Sequence, residues 1–248
     1  MARRGLLVAA GIVAFLVFLI ARVPATMLTR WLPPGIAVAG LNGTIWSGRA
    51  SSLGLQGRDL GAASWSCRPW PLLVFEWSCR VNLQPSGGQI AAALSGDFDS
   101  DAIEARDLMG SLPITVLEGI VTPRGWTGRL ELEVANARIA GGMPQDAKGK
   151  FYVRALKAPG PGGALLGDFE LTIGEGAVGT GTLTGRLNDL GGPLRARGTI
   201  ELKRDRSYYF SGEVAPGPGA DPSIFDTLGF LGPPDSSGRR PFSVEGTL

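Results

Sequence analysis

The chain begins with a long apolar run and continues as short segments in which apolar and polar residues alternate. Residues 6–21 read LLVAAGIVAFLVFLIA and carry no charge. Beyond residue 34, alternation with a period of two and frequent glycines are typical of antiparallel strands with one buried face. The predicted fold is mainly β, a curved antiparallel meander that forms a half-open groove or trough. Strands are predicted at 36–41, 43–46, 76–83, 89–94, 128–134, 148–153, 167–173, 178–187, 196–202 and 208–214.

Two segments predict helices instead. Asp221 can cap a helix that starts at Pro222 and ends before the Gly-Pro-Pro sequence at 232–234, so one short C-terminal helix is predicted over 221–228. The apolar stretch 112–117 is a weaker helix candidate. The glycine-rich sequence at 160–163 predicts a boundary between two halves, about 35–158 and 164–248.

The first apolar run has the length of a membrane span. With Gly5 it reaches about 17 residues, the lower limit for a spanning helix. Arg3 and Arg4 precede it, so the positive-inside rule predicts a cytoplasmic tail at 1–4, a single-pass anchor at 5–22 and a periplasmic domain at 23–248 of a Gram-negative inner-membrane protein. The residues expected in the bilayer include Leu6, Leu7, Ile12, Phe15, Leu16, Phe18, Leu19 and Ile20.

A cleaved signal peptide is the alternative to an anchor. Val23-Pro24-Ala25 has the small residues of a cleavage site after an apolar run. The run is longer than the usual signal core of about 7–15 residues, and Arg22 interrupts it before the site. These features favour the anchor.

Composition excludes most catalytic chemistry. The 248 residues contain no histidine, which removes the usual general base and the commonest zinc ligand. The glycine pattern at 174–179 is followed by strand-like sequence rather than the helix that a dinucleotide site needs, and the acidic run 97–101 lacks the later ligands of a calcium loop. A net charge of +2 with interspersed signs indicates no nucleic-acid face. We therefore expect no enzyme activity, cofactor or metal.

The two cysteines lie in a repeated phrase, Trp-Ser-Cys-Arg, at 65–68 and 77–80. If these segments are the two arms of a hairpin, Cys67 and Cys79 face each other, and an oxidising periplasm favours a disulfide between them. The alternative is a pair of buried free thiols.

Several phrases together resemble protein N of the bacterial type II, or general, secretion pathway. They are Arg-Trp-Leu-Pro-Pro-Gly at 30–35, Gly-Thr-Ile-Trp-Ser-Gly-Arg-Ala at 43–50, Ala-Ser-Trp at 63–65 ahead of Arg68-Pro69, Leu-Gly-Asp-Phe at 166–169, Gly-Gly-Pro-Leu at 191–194, and a C-terminal passage from Pro218 to Asp235. Their order and the N-terminal run extend the resemblance over the whole chain.

The resemblance implies an accessory inner-membrane component of the machine that exports folded proteins from the periplasm across the outer membrane. Its partners would be other components of the pathway, on the inner-membrane platform, pseudopilin or secretin side. The alternative hypothesis is an anchored lipid-binding or lipid-transfer module, similar to AsmA-like and LptC-like proteins, whose apolar trough holds an acyl chain.

Overall fold

The computed structural model describes residues 11–247, except 13, 16, 31, 33–34, 56, 70–74, 120–121, 161, 175–181 and 230. Residues 11–12, 14–15 and 17–21 are helical, and we call them the N-terminal helical segment. Within the described residues, no helix combines the length and the apolar character needed to span a membrane. Arg3 and Arg4 of the predicted tail, and Leu6, Leu7 and Leu16 of the predicted anchor, lie outside the described residues.

Sixteen strands follow in the described part of the chain, and they form two antiparallel sheets. The large sheet has thirteen strands in the order β16-β15-β14-β13-β12-β11-β10-β9-β8-β7-β6-β3-β2, and the small one has the order β1-β4-β5. The prediction of a mainly β antiparallel meander is therefore confirmed. The strands are β1 (Ile36–Ala39), β2 (Asn42–Gly43), β3 (Ser47–Ala50), β4 (Ser52–Leu55), β5 (Arg58–Asp59), β6 (Ala62–Arg68), β7 (Glu76–Gln84), β8 (Gln89–Asp97), β9 (Ile103–Pro113), β10 (Thr127–Ala140), β11 (Met143–Lys157), β12 (Leu165–Ile173), β13 (Thr182–Asp189), β14 (Leu194–Lys203), β15 (Ser207–Pro216) and β16 (Arg240–Thr247).

Two local predictions are wrong. The segment 43–46 is not one strand: Gly43 ends β2, and the chain then turns so that Thr44 N–H donates to Ser47 O and β3 pairs back onto β2. The segment 112–117 is not a helix of that length: β9 continues to Pro113, and a 3₁₀ helix covers Ile114–Leu117.

The first residues of the predicted strand 178–187 lie outside the described residues. β11 and β12 are hydrogen-bonded neighbours, and the division into two halves stays a prediction.

Bulges interrupt the otherwise regular ladders. β9 carries an extra residue against β8 near Asp107, and β11 carries one against β12 near Ala155. Both residues have left-handed backbones, with φ of 51° and 48°. Bulges increase the local twist of a sheet, so they contribute to the coiling of this long meander.

The predicted C-terminal helix is present as α1 (Pro222–Gly229). Asp221 caps it, because its carboxylate accepts a hydrogen bond from Ser223 N–H at 2.9 Å. Ile224 and Leu228, 3% and 6% exposed, pack against one end of the sheet. We call this end, from β11 to β16, the helix end. The buried partners of α1 there are Phe169, Ala196 and Val214.

The rest of the sheet is open. The accessible surface is 15,586 Å², whereas size scaling gives about 10,500 Å² for a compact monomer of this mass. Among the described residues, no large side chain is less than 2% exposed. The described residues therefore include a packed cluster at the helix end, a few buried side chains elsewhere, such as Leu112, Ile114 and Val134, and a wide sheet on which most other apolar side chains are half-buried.

Candidate functional site

The large sheet separates apolar and polar side chains onto opposite faces. Residues that are direct partners across a ladder share a face, and one such row crosses eight strands with only apolar residues. The apolar row consists of Gly110, Leu132, Phe151, Leu171, Leu187, Gly198, Gly212 and Phe242. We call the side that carries this row the apolar face; its leucine and phenylalanine side chains are half-buried.

The opposite side, the polar face, carries the neighbouring rows. One of them consists of Ser111, Glu131, Tyr152, Glu170, Asn188, Arg197, Glu213 and Pro241. Cross-strand ion pairs connect it, for example Lys150–Glu170 at 3.2 Å and Arg197–Glu213 at 2.7 Å. A depression of about 750 Å³ between β13 and β16 is open to solvent and contains the paired Arg197 and Glu213. The polar face is thus hydrated, and the apolar face is the candidate binding surface.

The Lys150–Glu170 pair predicts a dependence of stability on pH. Partial burial opposes ionisation of Glu170, but the hydrogen bond and charge of Lys150 outweigh it, so the pKa of Glu170 is lowered from its usual 4.5. A lowered carboxyl pKa stabilises the folded protein above the unfolded-state pKa, and this stabilisation is lost as pH falls through the lower folded-state value.

We expect the urea midpoint of the unmodified protein to fall between pH 5 and pH 3 more steeply than that of Glu170→Gln, because the variant has no ionisable group at this position. Urea titrations at pH 7, 5, 4 and 3 measure the difference, which should shrink towards zero at the lowest pH. If the difference between the two urea midpoints grew as pH falls, Glu170 would not have the lowered pKa that its pairing with Lys150 implies.

Three phrases of the family resemblance meet at the helix end. The carboxylate of Asp168 accepts hydrogen bonds from Ala155 N–H at 2.8 Å and from the Arg154 guanidinium at 3.3 Å, and so holds the bulge in β11. Gly167, with φ of 116°, lies against Gly192, where an added Cβ would come within 3.3 Å of the Gly192 Cα. The loop before α1 joins them, because Gly217 N–H donates to Pro193 O at 2.7 Å.

Two of the other phrases, at 43–50 and 63–65, form a joint between the N-terminal helical segment and the sheet. Trp46 Nε1–H donates to Ile20 O at 2.8 Å, and Ile45 N–H donates to Val23 O at 3.0 Å. The Trp65 indole donates to Thr44 O and Ile45 O at 3.2 and 3.1 Å. The two tryptophans therefore fix the position of the helical segment on β3 and β6. We call this opposite end of the sheet the anchor end, after the anchor that the sequence predicts.

Gly48 is required in the joint because the Trp65 ring lies on it. A Cβ at Gly48 would come within 2.5 Å of Trp65 Cζ2 and 2.6 Å of Asn42 O. We expect Gly48→Ala to lower the free energy of unfolding by about 1–3 kcal/mol through overpacking, measured by urea denaturation with tryptophan fluorescence. Gly54→Ala is the matched control, since its Cβ would have 3.5 Å of clearance; equal losses from both changes would rule out this explanation.

The structure joins Cys67 and Cys79 in a disulfide, with the sulfur atoms 2.00 Å apart. The two residues are direct partners in the β6–β7 ladder, as the repeated phrase predicts. Cys67 N–H donates to Trp46 O on the other side of β6. Such a bond would stabilise the strand that also supports the joint. Its formation in the mature protein stays a prediction.

Replacing both cysteines by serine is expected to lower the free energy of unfolding by about 3 kcal/mol, because the bond closes a loop with a sequence separation of 12. Urea denaturation of the double variant measures the loss, and Ser78→Ala on the polar face serves as the control. Alkylation of both thiols in the native protein without reductant would contradict the bond.

The sequence prediction missed the roles of Trp46, Trp65 and Asp168. Each stands in a phrase that carries the resemblance, but the phrase alone does not identify the partner atoms. Among the described residues, no group of three acidic or cysteine side chains is placed to hold a metal ion.

The fold and these two ends define a class of protein: a wide antiparallel meander with one apolar and one polar face and an apolar helical segment at its N-terminal edge. The chain belongs to the family "Type II secretion system (T2SS), protein N", whose model matches residues 34–243. The resemblance stated from sequence is thereby confirmed. The protein is an accessory component of that secretion system, and the family is not a known enzyme class.

Two relatives have the same description. A type II secretion system protein N of Aeromonas hydrophila is 29% identical over the full length of both chains. One from Vibrio cholerae serotype O1 is 28% identical over 88% of this chain and 87% of the relative. Among the solved structures, none matches the chain significantly.

Proposed function

We propose that this protein is a single-pass inner-membrane component of the type II secretion system, with residues 23–248 in the periplasm. It would support export of folded proteins by contacting other components, on the inner-membrane platform, pseudopilin or secretin side. The family match over 34–243, together with the joint that attaches an apolar helical segment to the sheet, carries this proposal.

Exposure of the helical segment supports anchoring. Ile12, Phe15 and Phe18 are 55–63% exposed. A lipid environment would remove such side chains from water. Arg3 and Arg4 are proposed to set the orientation. Alkaline phosphatase fused after Thr247 should be active, and inactivity of this fusion would overturn the periplasmic assignment.

An apolar patch around α1 supports a contact with a protein partner. Leu165, Leu190, Phe225 and Leu231, all at the helix end, are 42–50% exposed. Exposed apolar clusters of this kind mark interaction sites. The patch lies at the helix end, and the joint lies at the anchor end. The patch is therefore remote from the attachment of the helical segment.

The test is secretion in a strain that lacks the gene and carries a variant copy. Phe225→Ser should reduce the amount of a pathway substrate in the medium, whereas Tyr209→Ser, at a similarly exposed aromatic residue on the polar face, should not. Both proteins should be present at unmodified levels in the cell. Normal secretion in the deletion strain would overturn the proposed function. Normal secretion by Phe225→Ser would overturn the assignment of the apolar patch as a partner-binding site.

A lipid-binding function is a second candidate, and the apolar face favours it. Its row from Leu132 to Phe242 contains no charged side chain, and the groups on it remain half-exposed. Mass spectrometry of the protein purified in mild detergent should detect phospholipid bound to the unmodified chain and much less bound to Leu132→Asp. Equal phospholipid content in the two proteins would count against this function.

A further inference from the structure

Two phenylalanine side chains project into solvent at the anchor end. Phe75, just before β7, is 76% exposed, and Phe98, just after β8, is 62% exposed. Their backbones are joined, since Phe98 N–H donates to Phe75 O at 3.1 Å. The two residues therefore lie side by side at the ends of β7 and β8, and we call them the phenylalanine tip.

The backbone at Phe75 is unfavourable for its side chain. Its φ of 60° lies in the left-handed region, which glycine adopts readily and a bulky residue adopts at a cost. Because the Phe75 ring is exposed, no burial within the chain offsets the cost of this backbone conformation. Such residues concentrate at sites of interaction, so an external partner is expected at the tip.

The position of the tip indicates what this partner is. Cys67 N–H donates to Trp46 O at 2.6 Å, and Trp46 in turn contacts Ile20, so the helical segment leaves the sheet at the level of the Cys67–Cys79 pair. Phe75 lies four residues beyond Cys79 along the strand, about 13 Å at the rise of a β-strand. The tip therefore projects past the joint at the edge where the helical segment is attached.

We propose that the phenylalanine tip inserts into the membrane leaflet beside the anchor and forms a second membrane contact, which fixes the tilt of the sheet. This inference rests on the anchoring proposed above. Glu76, Asp97 and Asp99 flank the rings, so anionic headgroups would be repelled. Insertion depends on burial of the aromatic rings rather than on charge attraction, and it requires no anionic lipid.

The test uses the full chain in phosphatidylcholine nanodiscs that contain lipid with a nitroxide on the acyl chain. A fluorophore is attached, without reductant, at Ser100→Cys beside the tip, at Val17→Cys in the helical segment, or at Gly229→Cys at the helix end. The Ser100 label should lose most of its emission, and the Gly229 label should lose little. Adding Phe75→Ser and Phe98→Ser should restore the Ser100 emission, and replacing a third of the lipid by phosphatidylglycerol should not increase its quenching.

The three labels separate the two proposals. If the Val17 label is quenched but the Ser100 label emits as brightly as the Gly229 label, the anchor is supported and the tip insertion is overturned. If the Val17 label is not quenched, anchoring fails, and the Ser100 label still decides whether the tip contacts lipid. Quenching at Ser100 that survives the double serine substitution would also overturn the inference, because the rings would then not be its cause.

Discussion

Replacing Phe169 by alanine is expected to lower the free energy of unfolding by about 3–5 kcal/mol. Phe169 is 6% exposed and belongs to the buried cluster that joins the sheet to Ile224 and Leu228 of α1. Removing the ring leaves a cavity in this buried cluster, and the loss combines the transfer free energy of the ring with the cost of the cavity.

Urea denaturation followed by far-ultraviolet circular dichroism measures the change. Phe225→Ala is the matched control, since the same side chain is removed from the exposed side of α1, where Phe225 is 50% exposed. The control should lose less than about 1 kcal/mol. Limited proteolysis should also cut the Phe169→Ala variant faster within 217–239. Equal losses from the two substitutions would show that α1 is not held by this core.

The second large effect is expected from a charge on the apolar face. Leu132→Asp places a carboxylate between Gly110 and Phe151, in the middle of the apolar row. A half-buried carboxylate without a partner should lower the free energy of unfolding by roughly 2–5 kcal/mol. Its pKa should also rise, so the loss should be smaller at pH 4 than at pH 7.

Glu133→Asp is the control for this substitution, because it introduces the same side chain at the adjacent residue on the polar face. It should change the free energy of unfolding by less than about 0.5 kcal/mol. Urea midpoints at pH 4 and pH 7 measure both variants. If the two variants were equally stable at pH 7, the assignment of Leu132 and Glu133 to opposite faces would be wrong.

The two ends of the sheet are organised by different contacts, and the apolar face lies between them. At the helix end, the buried cluster, Asp168 and α1 organise the strands, whereas at the anchor end Trp46 and Trp65 hold the helical segment. The apolar face between them is wide and half-exposed. This organisation is compatible with the proposal that the chain links a membrane attachment at one end to a partner at the other.

The sequence was sufficient where structure depends on neighbouring residues. Alternation identified β7, β12, β14 and β15, because the period of two directly reflects which side chains face the core. Asp221 and Pro222 identified the start of α1, since helix capping is local. The repeated Trp-Ser-Cys-Arg phrase placed Cys67 opposite Cys79, because a hairpin sets the register of its two arms.

The sequence was insufficient where a distant contact decides the conformation. The segment 43–46 has the composition of a strand, yet it turns because Trp46 bonds to Ile20 and Trp65 bonds back to Thr44 and Ile45. The segment 112–117 continues β9 through its ladder with β10, up to Pro113, before a short 3₁₀ helix forms. Propensity is weak against such tertiary contacts.

By itself, the sequence determined the family, the antiparallel character of the domain and the separation of apolar from polar positions. Each of these depends on short sequence patterns, namely the family phrases, the glycine turns and the alternation of apolar and polar residues. Only the tertiary structure decided that thirteen strands form one sheet, that the phrases around Asp168, Gly192 and α1 meet at one end, and that Phe75 and Phe98 project together at the other. These arrangements depend on register and bulges, which are set by ladders between segments that are far apart in the chain.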